Sequence, residues 1–138
     1  RQMCIRDRAY IDTKHITFEY SLQPTIIQAN MNLIYIVINN LLSNAVKYSN
    51  EGAKIYVSCG EKDGKSYIRI QDEGCGIEKE NISKIFESFY REKKDRNAEG
   101  FGLGLSQAMK IAELYGGGIY VESTKNKGSI FTFFIPKP

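Results

Sequence analysis

The segment NNLLSNAVKYS, residues 39–49, places amide, cationic and phenolic side chains within the otherwise apolar pattern of a helix. On a helix that advances about 100° per residue, one stripe about 100° wide holds four of them: Asn40, Asn44, Lys47 and Tyr48. A solvated helix face is the ordinary alternative, but such faces usually carry Glu and Lys pairs rather than Asn, a poor helix former. Carboxamide oxygens are suitable ligands for a magnesium ion that phosphates already hold.

A second group of residues is QDEGCGI, residues 71–77, in which Asp72 ends an alternating run and Gly74 and Gly76 follow. Such a turn leaves bare backbone against which a flat ring can lie, and the carboxylate can accept a hydrogen bond from an amino group of that ring. A nucleobase is one such ring. By itself the pattern more often marks a plain turn, because Gly and Asp are common turn residues.

A third group is EGFGLGLS, where Gly100, Gly102 and Gly104 precede a helical pattern. Glycines at a helix start leave N–H groups free at the positive end of the helix dipole, an arrangement suited to phosphate. The segment is neither a Walker loop nor a GxGxxG motif behind a strand. A flexible hinge explains these glycines equally well.

Hydrophobic periodicity predicts the elements that carry these groups. Period-two alternation predicts a first strand at residues 15–21, and apolar residues spaced by three and four predict the longest helix at residues 30–48. Residues 78–89 are typical of one or two short helices, and residues 104–117 of a helix that ends at glycines. The charged stretch at residues 91–100 is expected to be a mobile loop.

The remaining strands form two predicted hairpins. One joins residues 53–61 to 66–72 through an Asp-Gly turn, and the other joins 118–124 to 129–136. About five strands and three main helices favour an α+β fold, a two-layer sandwich with a mixed, mostly antiparallel sheet and helices on one face. Strict alternation predicts three core residues in the last strand: Phe131, Phe133 and Ile135.

Length and composition indicate one compact domain. The chain has 138 residues, of which 42% are hydrophobic and 25% charged. Its 19 basic and 16 acidic residues are mixed along the chain, so neither nucleic acid nor a membrane surface is an expected partner. Three cysteines without a CxxC pair favour a reducing, cytoplasmic location over a disulfide framework or zinc site.

No signal peptide or membrane-length apolar run is visible in the sequence, so the chain is expected to be soluble. Residues 1–10 show the hydrophobic period of neither a helix nor a strand and are interpreted as a truncation edge or foreign flank. Residues 11–138 are then the domain.

Taken in order, these segments resemble the catalytic ATP-binding domain of a bacterial two-component sensor histidine kinase, a member of the GHKL superfamily with the Bergerat fold. NNLLSNAVKYS resembles its N box, DEGCGI its first glycine box, IFESFYR its phenylalanine box and GFGLGLS its second glycine box. Residues 116–136 resemble its closing hairpin. The resemblance runs from about residue 11 to residue 138, and five motifs in order make it specific.

The resemblance implies that ATP and Mg²⁺ lie between sheet and helices, under a flexible lid at residues 91–104. Asn44 would coordinate magnesium, Asn40 would support the metal or its water, and Lys47 would reach the phosphates. Tyr48 would border the nucleotide, and Asp72 would accept a hydrogen bond from the adenine amino group. Gly76 and Ile77 would lie against the base, Tyr90 and Arg91 near ribose and phosphate, and the amides of residues 102–105 at the phosphate tail. Besides the residues of the N box and Asp72, the resemblance implies that the nucleotide contacts are Gly74, Gly76, Ile77, Tyr90, Arg91, Gly100, Phe101, Gly102, Leu103, Gly104 and Leu105.

One position separates kinase from ATPase in this superfamily. The ATPases carry a Glu four residues before the magnesium Asn, and here that position is Asn40, an amide without useful basicity. The chain should therefore hold ATP without hydrolysing it quickly. Its phosphoryl acceptor would be a His on a separate dimerisation domain, which passes the group to a response regulator receiver domain.

The only histidine of the chain, His15, lies in the pattern of the first strand and lacks the acidic neighbour of the acceptor motif. It is interpreted as structural, so the chain alone is not expected to autophosphorylate. Whether the full-length protein is anchored in the inner membrane lies outside the sequence.

Two other functions stay open. A serine kinase that inhibits a sigma factor shares the superfamily fold, although FESFYR and the closing GSIFTFFIP argue against it. A degenerate nucleotide-sensing module is the second, since Phe101 occupies a position where the family often has a small residue. Intact Asn44, Asp72, Gly76 and Gly104 argue against that module.

Overall fold

The computed structural model describes residues 15–82, 84–86 and 104–138. Within these ranges the chain forms five strands, two α-helices and one 3-10 turn. In chain order they are β1 (Thr17–Leu22), α1 (Met31–Tyr48), β2 (Lys54–Lys62), β3 (Lys65–Asp72), the 3-10 turn (Lys79–Asn81), α2 (Gly104–Leu114), β4 (Gly118–Thr124) and β5 (Gly128–Pro136).

The strands form one mixed sheet in the order β1-β2-β3-β5-β4. β1 runs parallel to β2, with Phe18 opposite Ile55. All other neighbours are antiparallel, and the β3–β5 pairing places Asp72 opposite Ser129. The predicted α+β class with a mixed, mostly antiparallel sheet is therefore confirmed.

Both predicted hairpins are present, and each turn uses residues that tolerate positive φ. Lys62 pairs with Lys65, so β2 and β3 are joined by Asp63 and Gly64 alone, at φ 53° and 75°. This is the geometry of a tight turn that matches the twist of the strands. The β4–β5 turn places Asn126 at φ 68°, a conformation that Asn adopts more readily than most residues.

Helix α1 begins and ends at polar caps. The Asn30 side chain accepts hydrogen bonds from the backbone N–H groups of Asn32 and Leu33 at 2.8 and 3.3 Å. At the other end the hydroxyl of Ser49 donates to the carbonyl of Ala45 at 2.7 Å. These caps fix the register of α1, and with it the direction in which its polar stripe points.

The hydrophobic core lies between the helices and one face of the sheet. Helix α1 packs on β3 and on α2, and α2 packs on β4 and β5. Phe131, Phe133 and Ile135 are buried, as their alternation predicts. Burial of these side chains, with their partners on α1, supplies most of the driving force for folding.

The structure refines two expectations. His15 lies in an exposed turn at φ 55° just before β1, rather than in the strand itself. Of the short helices expected at residues 78–89, the described part contains only the 3-10 turn, and the described ranges hold two α-helices where three main helices were predicted. Neither helix in the described ranges is long and apolar enough to cross a membrane.

Candidate functional site

The polar stripe of α1 borders the core. Asn40, Asn44, Lys47 and Tyr48 are all half-buried. Val37, which lies on the same side of the helix, is fully buried beside them, and α2 packs on α1. A stripe at the edge of the core is partly shielded from water, which strengthens its interactions with any bound charge.

One end of the stripe meets the start of α2. The Asn40 amide donates a hydrogen bond to the Gln107 side-chain oxygen at 3.4 Å. A Cβ atom on Gly104 would lie 3.5 Å from the Asn40 side-chain oxygen. Two separate sequence motifs, the stripe and the second glycine segment, therefore meet at Asn40.

The other end of the stripe meets the loop that follows β3. The N–H of Cys75 donates to the carbonyl of Tyr48 at 3.3 Å, and Ser49 forms an antiparallel bridge with Gly74. A Cβ atom on Gly74 would lie 2.0 Å from the Tyr48 carbonyl oxygen. Only glycine allows this close approach, which explains why the residue type is needed here.

Asp72 is the buried charge of this loop. Asp72 is only 4% exposed to solvent. One carboxylate oxygen, Oδ1, accepts hydrogen bonds from the backbone N–H groups of Gly74 at 2.9 Å and Ser129 at 3.3 Å. Burial raises the pKa of the Asp72 carboxyl to about 6, although the two N–H donors oppose the shift. A desolvated carboxylate held in one orientation is a strong and directional hydrogen-bond acceptor.

The hairpin formed by β4 and β5 supports this loop from the other side. The N–H of Asn126 donates to the carbonyl of Cys75 at 2.7 Å, and the N–H of Ile77 donates to the Ser123 hydroxyl at 2.8 Å. Gly76 is at φ 71°, and a Cβ atom there would lie 2.2 Å from the carbonyl oxygen of Thr124. Residues 72–77 are thus held between the end of α1 and the tip of the hairpin.

The length of the polar stripe can be compared with the length of a ligand. Asn40 and Tyr48 are eight residues apart, which on an α-helix is about 12 Å. A ring against Tyr48 and Asp72 would therefore direct a chain of substituents along α1 towards Asn40 and Gly104. This is the span of a nucleoside with a short phosphate tail, with the ring at the carboxylate end.

The structure locates ten of the expected site residues within the described ranges, at α1, at residues 72–77 and at the start of α2. Leu105 packs its side chain against the core, so only its amide is left for a ligand. Six others lie outside the described residues: Tyr90, Arg91, Gly100, Phe101, Gly102 and Leu103. Phe86, in the segment that resembles the phenylalanine box, is partly buried against the core.

An open groove of about 770 Å³ lies next to the site. It is lined by residues 77–82, apart from Asn81, and by residues 121–125 of β4 and the adjoining turn. It shares Ile77 with the site but is lined by neither Asp72 nor any residue of the polar stripe. The groove is therefore a neighbouring surface and not the space between α1 and the carboxylate.

Sequence reasoning missed the contribution of the β4–β5 hairpin. Ser123, Asn126, Gly128 and Ser129 all support the Asp72 loop, and a Cβ atom on Gly128 would lie 2.1 Å from the carbonyl oxygen of Asp72. No local pattern marks these residues, because their role depends on the pairing of β3 with β5. The Gly-Ser pair that opens β5 was the available signal, since a glycine there permits close approach to a neighbouring backbone.

The donor set fits a cation that a phosphate chain already carries. No group of three or more His, Cys, Asp or Glu side chains that could hold a metal ion by itself occurs among the described residues. Asn40 and Asn44 offer carboxamide oxygens, which are hard ligands of the kind that Mg²⁺ accepts when phosphates and water supply the rest. The residues therefore fit a phosphate-bound magnesium ion better than an independent metal site.

Comparison with known proteins agrees with this geometry. The chain is 36% identical over 129 residues to the sensor histidine kinase WalK of Bacillus subtilis (strain 168), a match that covers 89% of this chain and 21% of WalK. The solved catalytic domain of histidine kinase ThkA is 31% identical with a TM-score of 0.81, covering 96% of this chain and 86% of that one. Full-length ShkA in complex with AMPPNP is 26% identical with a TM-score of 0.81, covering 94% of this chain and 27% of ShkA.

The chain therefore spans about a fifth of WalK and over four fifths of the isolated ThkA domain. Residues 29–138 match the family described as histidine kinase-, DNA gyrase B-, and HSP90-like ATPase. This match covers α1, the Asp72 loop, α2 and the closing hairpin, which are the elements that form the site. The chain belongs to the histidine kinase-, DNA gyrase B-, and HSP90-like ATPase family.

Proposed function

We propose that this chain is the ATP-binding catalytic domain of a sensor histidine kinase. It would bind Mg-ATP and donate the γ-phosphoryl group to a histidine on a separate dimerisation domain, for relay to the receiver domain of a response regulator. The observation that carries the proposal is the buried Asp72 carboxylate, fixed by two N–H donors beside Tyr48 at one end of the polar stripe. The complex of ShkA with the ATP analogue AMPPNP supports a nucleotide at this site.

Asp72 would select adenine. The Gly74 and Ser129 amides occupy Oδ1, which leaves the other oxygen to accept a hydrogen bond from the exocyclic amino group. Guanine has a carbonyl at that position, so two acceptors would face each other at a cost of about 1–3 kcal/mol. That cost corresponds to roughly 5- to 150-fold weaker binding of GTP. Gly76 and Ile77 would form the wall against which the base lies.

Lys47 and the start of α2 would hold the phosphates. Lys47 projects from the same stripe as Asn44, and its ammonium nitrogen lies 5.4 Å from the centre of the Tyr48 ring. The backbone amides of Gly104 and Leu105 lie in the first turn of α2, where the helix dipole favours an anion. We place Tyr90, Arg91 and residues 100–103 on the nucleotide as well, in line with the sequence motifs that contain them.

Asn44 would be the protein ligand of Mg²⁺, with Asn40 beside it. When bound, the metal ion would withdraw charge from the phosphate oxygens during transfer. The chain's own residues would contribute position and charge, because phosphoryl transfer needs little covalent chemistry from the protein.

Asn40 would keep the bound ATP from rapid hydrolysis. A carboxamide cannot remove a proton from water, so the site holds no base at the position where the ATPases of this superfamily carry Glu. The γ-phosphoryl group would then wait for the histidine of the dimerisation domain. We place this reaction in the cytoplasm, where ATP is available, and assign it to residues 11–138, with residues 1–10 as a flank.

The proposal is tested by calorimetric titration of the chain with Mg-ATP and Mg-GTP, with Asp72→Asn as the site variant. We expect micromolar to millimolar affinity for ATP, about −4 to −8 kcal/mol, roughly 5- to 150-fold weaker binding of GTP, and a large loss of ATP affinity with Asp72→Asn. Absence of ATP binding at any magnesium concentration would refute the kinase function and favour a degenerate module. Transfer of phosphate to a serine of a sigma-factor regulator would favour the serine kinase.

A further inference from the structure

We propose that Ser123 is a positioning residue for the base wall of the site. Its hydroxyl lies on β4, in the closing hairpin and outside the four segments that carry the expected nucleotide contacts. It links that wall to β5, whose Ser129 N–H donates to Asp72. The inference rests on the proposed function for the identity of its ligand, a purine nucleotide. Its structural basis is a cluster of hydrogen bonds within the described residues.

The Ser123 hydroxyl has three hydrogen-bond partners. The N–H of Ile77 lies 2.8 Å from Oγ, the carbonyl oxygen of Gly128 lies 3.0 Å away, and the hydroxyl oxygen of Ser129 lies 2.8 Å away. Ile77 is the residue expected to lie against the base, and Gly128 and Ser129 begin β5. One hydroxyl therefore joins the base wall to the strand next to β3.

Counting protons assigns a direction to each of these bonds. A hydroxyl has one hydrogen to donate and can accept two hydrogen bonds. The Gly128 carbonyl can only accept, so Ser123 donates to it. The backbone N–H of Ile77 can only donate, so Ser123 accepts from it. The remaining bond then runs from the Ser129 hydroxyl to Ser123, and the hydrogen-bonding capacity of Ser123 is filled.

The same strand also fixes the carboxylate. Ser129 is paired with both Ser123 and Asp72 across the sheet, and its backbone N–H donates to Asp72 Oδ1 at 3.3 Å. The two surfaces that a purine would touch, the carboxylate edge and the Ile77 wall, are thus held by adjacent atoms of one strand pair. Ser123 sets the spacing between them.

The Ile77 side chain packs against the core, and the bond to Ser123 fixes its backbone N–H. The loop is held as far as Cys75 by the Tyr48 carbonyl and the Asn126 amide, but those bonds act before Ile77. The ion pair between Lys125 and Glu78 follows Ile77 and is largely exposed, and such pairs constrain the backbone weakly. Removing the Ser123 hydroxyl would therefore leave the Ile77 N–H without this acceptor, while the Asp72 end of the loop keeps its contacts.

The test compares Ser123→Ala with Ser123→Thr, which keeps the hydroxyl, and with Ser66→Ala as the matched control. Ser66 is a buried serine on a strand of this sheet, whereas Ser123 is half-buried, and the Ser66 hydroxyl bonds with Thr25 and with the Ile26 carbonyl. It lies at the opposite end of β3 from Asp72. If Ser123→Ala does not fold, Ser123→Cys, a weaker acceptor of similar size, takes its place.

Two readouts are measured on the whole chain: the Kd for Mg-ATP by calorimetry, and hydrogen exchange of the Ile77 amide without nucleotide. We expect Ser123→Ala to raise the Kd about tenfold, equivalent to about 1.4 kcal/mol, and to speed exchange at Ile77 but not at Cys75. Ser123→Thr should stay within about threefold of the wild-type Kd, and Ser66→Ala should lower thermal stability without changing the Kd.

An unchanged Kd or unchanged Ile77 exchange in Ser123→Ala overturns the inference, as does an equal rise in Kd in Ser66→Ala. The proposed function fails separately: in that case the wild-type chain itself does not bind ATP. Exchange at Ile77 still reports whether Ser123 holds the wall, so the two failures are distinguishable.

Discussion

The substitution Asp72→Asn should make the domain more stable while it weakens nucleotide binding. Asp72 is a charged side chain at a buried position, and burial raises the pKa of its carboxyl from an ordinary value of 3.8 to about 6. The unfolded chain restores the ordinary value, so deprotonation is easier after unfolding. The Asp72 charge therefore opposes folding at neutral pH. Asparagine removes that charge and keeps an oxygen to accept from Gly74 and Ser129.

The size of the effect follows from the two pKa values. Their difference of about two pH units, at about 1.4 kcal/mol per unit, gives a destabilisation of about 3 kcal/mol. Because the folded-state pKa of this acid is raised, the destabilisation is fully present above about pH 6. It decreases as the pH falls and is well under 1 kcal/mol by pH 4. For a chain of 138 residues, 3 kcal/mol corresponds to a Tm difference of about 10 °C.

The assay is urea unfolding of wild type and Asp72→Asn at pH 8, 6, 5 and 4 in the absence of nucleotide. The informative quantity is the change in the stability difference with pH, because any packing effect of the new amide is present at every pH. We expect the variant to gain about 2.4 kcal/mol relative to wild type between pH 4 and pH 8, because about 0.6 kcal/mol of the effect remains at pH 4. Asp63→Asn, which removes a carboxylate from the exposed β2–β3 turn, should show a much smaller change.

Nucleotide binding should move in the opposite direction. The amide that replaces Asp72 can present its own N–H donors to the adenine amino group, so ATP affinity should fall by roughly 5- to 150-fold. A stability difference that does not depend on pH would refute the reasoning about the buried charge. Wild-type ATP affinity in Asp72→Asn would refute its role in adenine recognition.

Three further outcomes follow from the same site. ATP affinity should fall as the pH drops below about 6, approaching tenfold per pH unit as Asp72 becomes protonated. Calorimetric titrations from pH 8 to pH 5 test this. The same titrations of Asp72→Asn should lack the loss of affinity that comes from protonation of Asp72. Asn40→Glu places a carboxylate where the ATPases of this superfamily carry Glu, and it should raise the rate of ATP hydrolysis by about tenfold or more. A coupled phosphate-release assay would detect the increase. An unchanged rate would contradict the proposed role of the Asn40 amide. Gly76→Ala should destabilise folding by roughly 1–3 kcal/mol more than Gly52→Ala. Both glycines have positive φ, but of the two only Gly76 faces a carbonyl oxygen, that of Thr124, at 2.2 Å from the new Cβ. Thermal denaturation of the two variants measures the difference, and equal Tm losses would exclude the close contact as its cause.

The sequence predicts the local elements of this fold well, since their signals are local. The apolar spacing of α1 and the Asp63-Gly64 turn each act over a few residues, and the structure contains both. The parallel pairing of β1 with β2 and the placement of β5 between β3 and β4 carry no such signal. Those pairings join residues far apart in sequence, and only the packing of the complete sheet decides them.

The same division applies to the site. Asp72, Gly74 and Gly76 could be identified as a unit because they are neighbours in sequence, and the stripe on α1 because a helix has a fixed period. That Gly104 would meet Asn40 required the packing of α2 on α1. The supporting role of the β4–β5 hairpin was equally inaccessible, since Ser123 and Ser129 are ordinary strand residues until β5 is placed beside β3.

The base end of the site is stabilised by many small contacts that together hold one unfavourable group. The Asp72 carboxylate loses hydration, and Gly76 and Gly128 adopt positive φ so that backbone can approach backbone within a distance that no Cβ permits. Each feature is unfavourable for an isolated chain, and these three lie around the Asp72 loop. A loop selected for stability alone would carry an asparagine at position 72. Under the proposed function, adenine recognition accounts for a desolvated aspartate there, and the opposite responses of stability and affinity in Asp72→Asn are a direct test of that role.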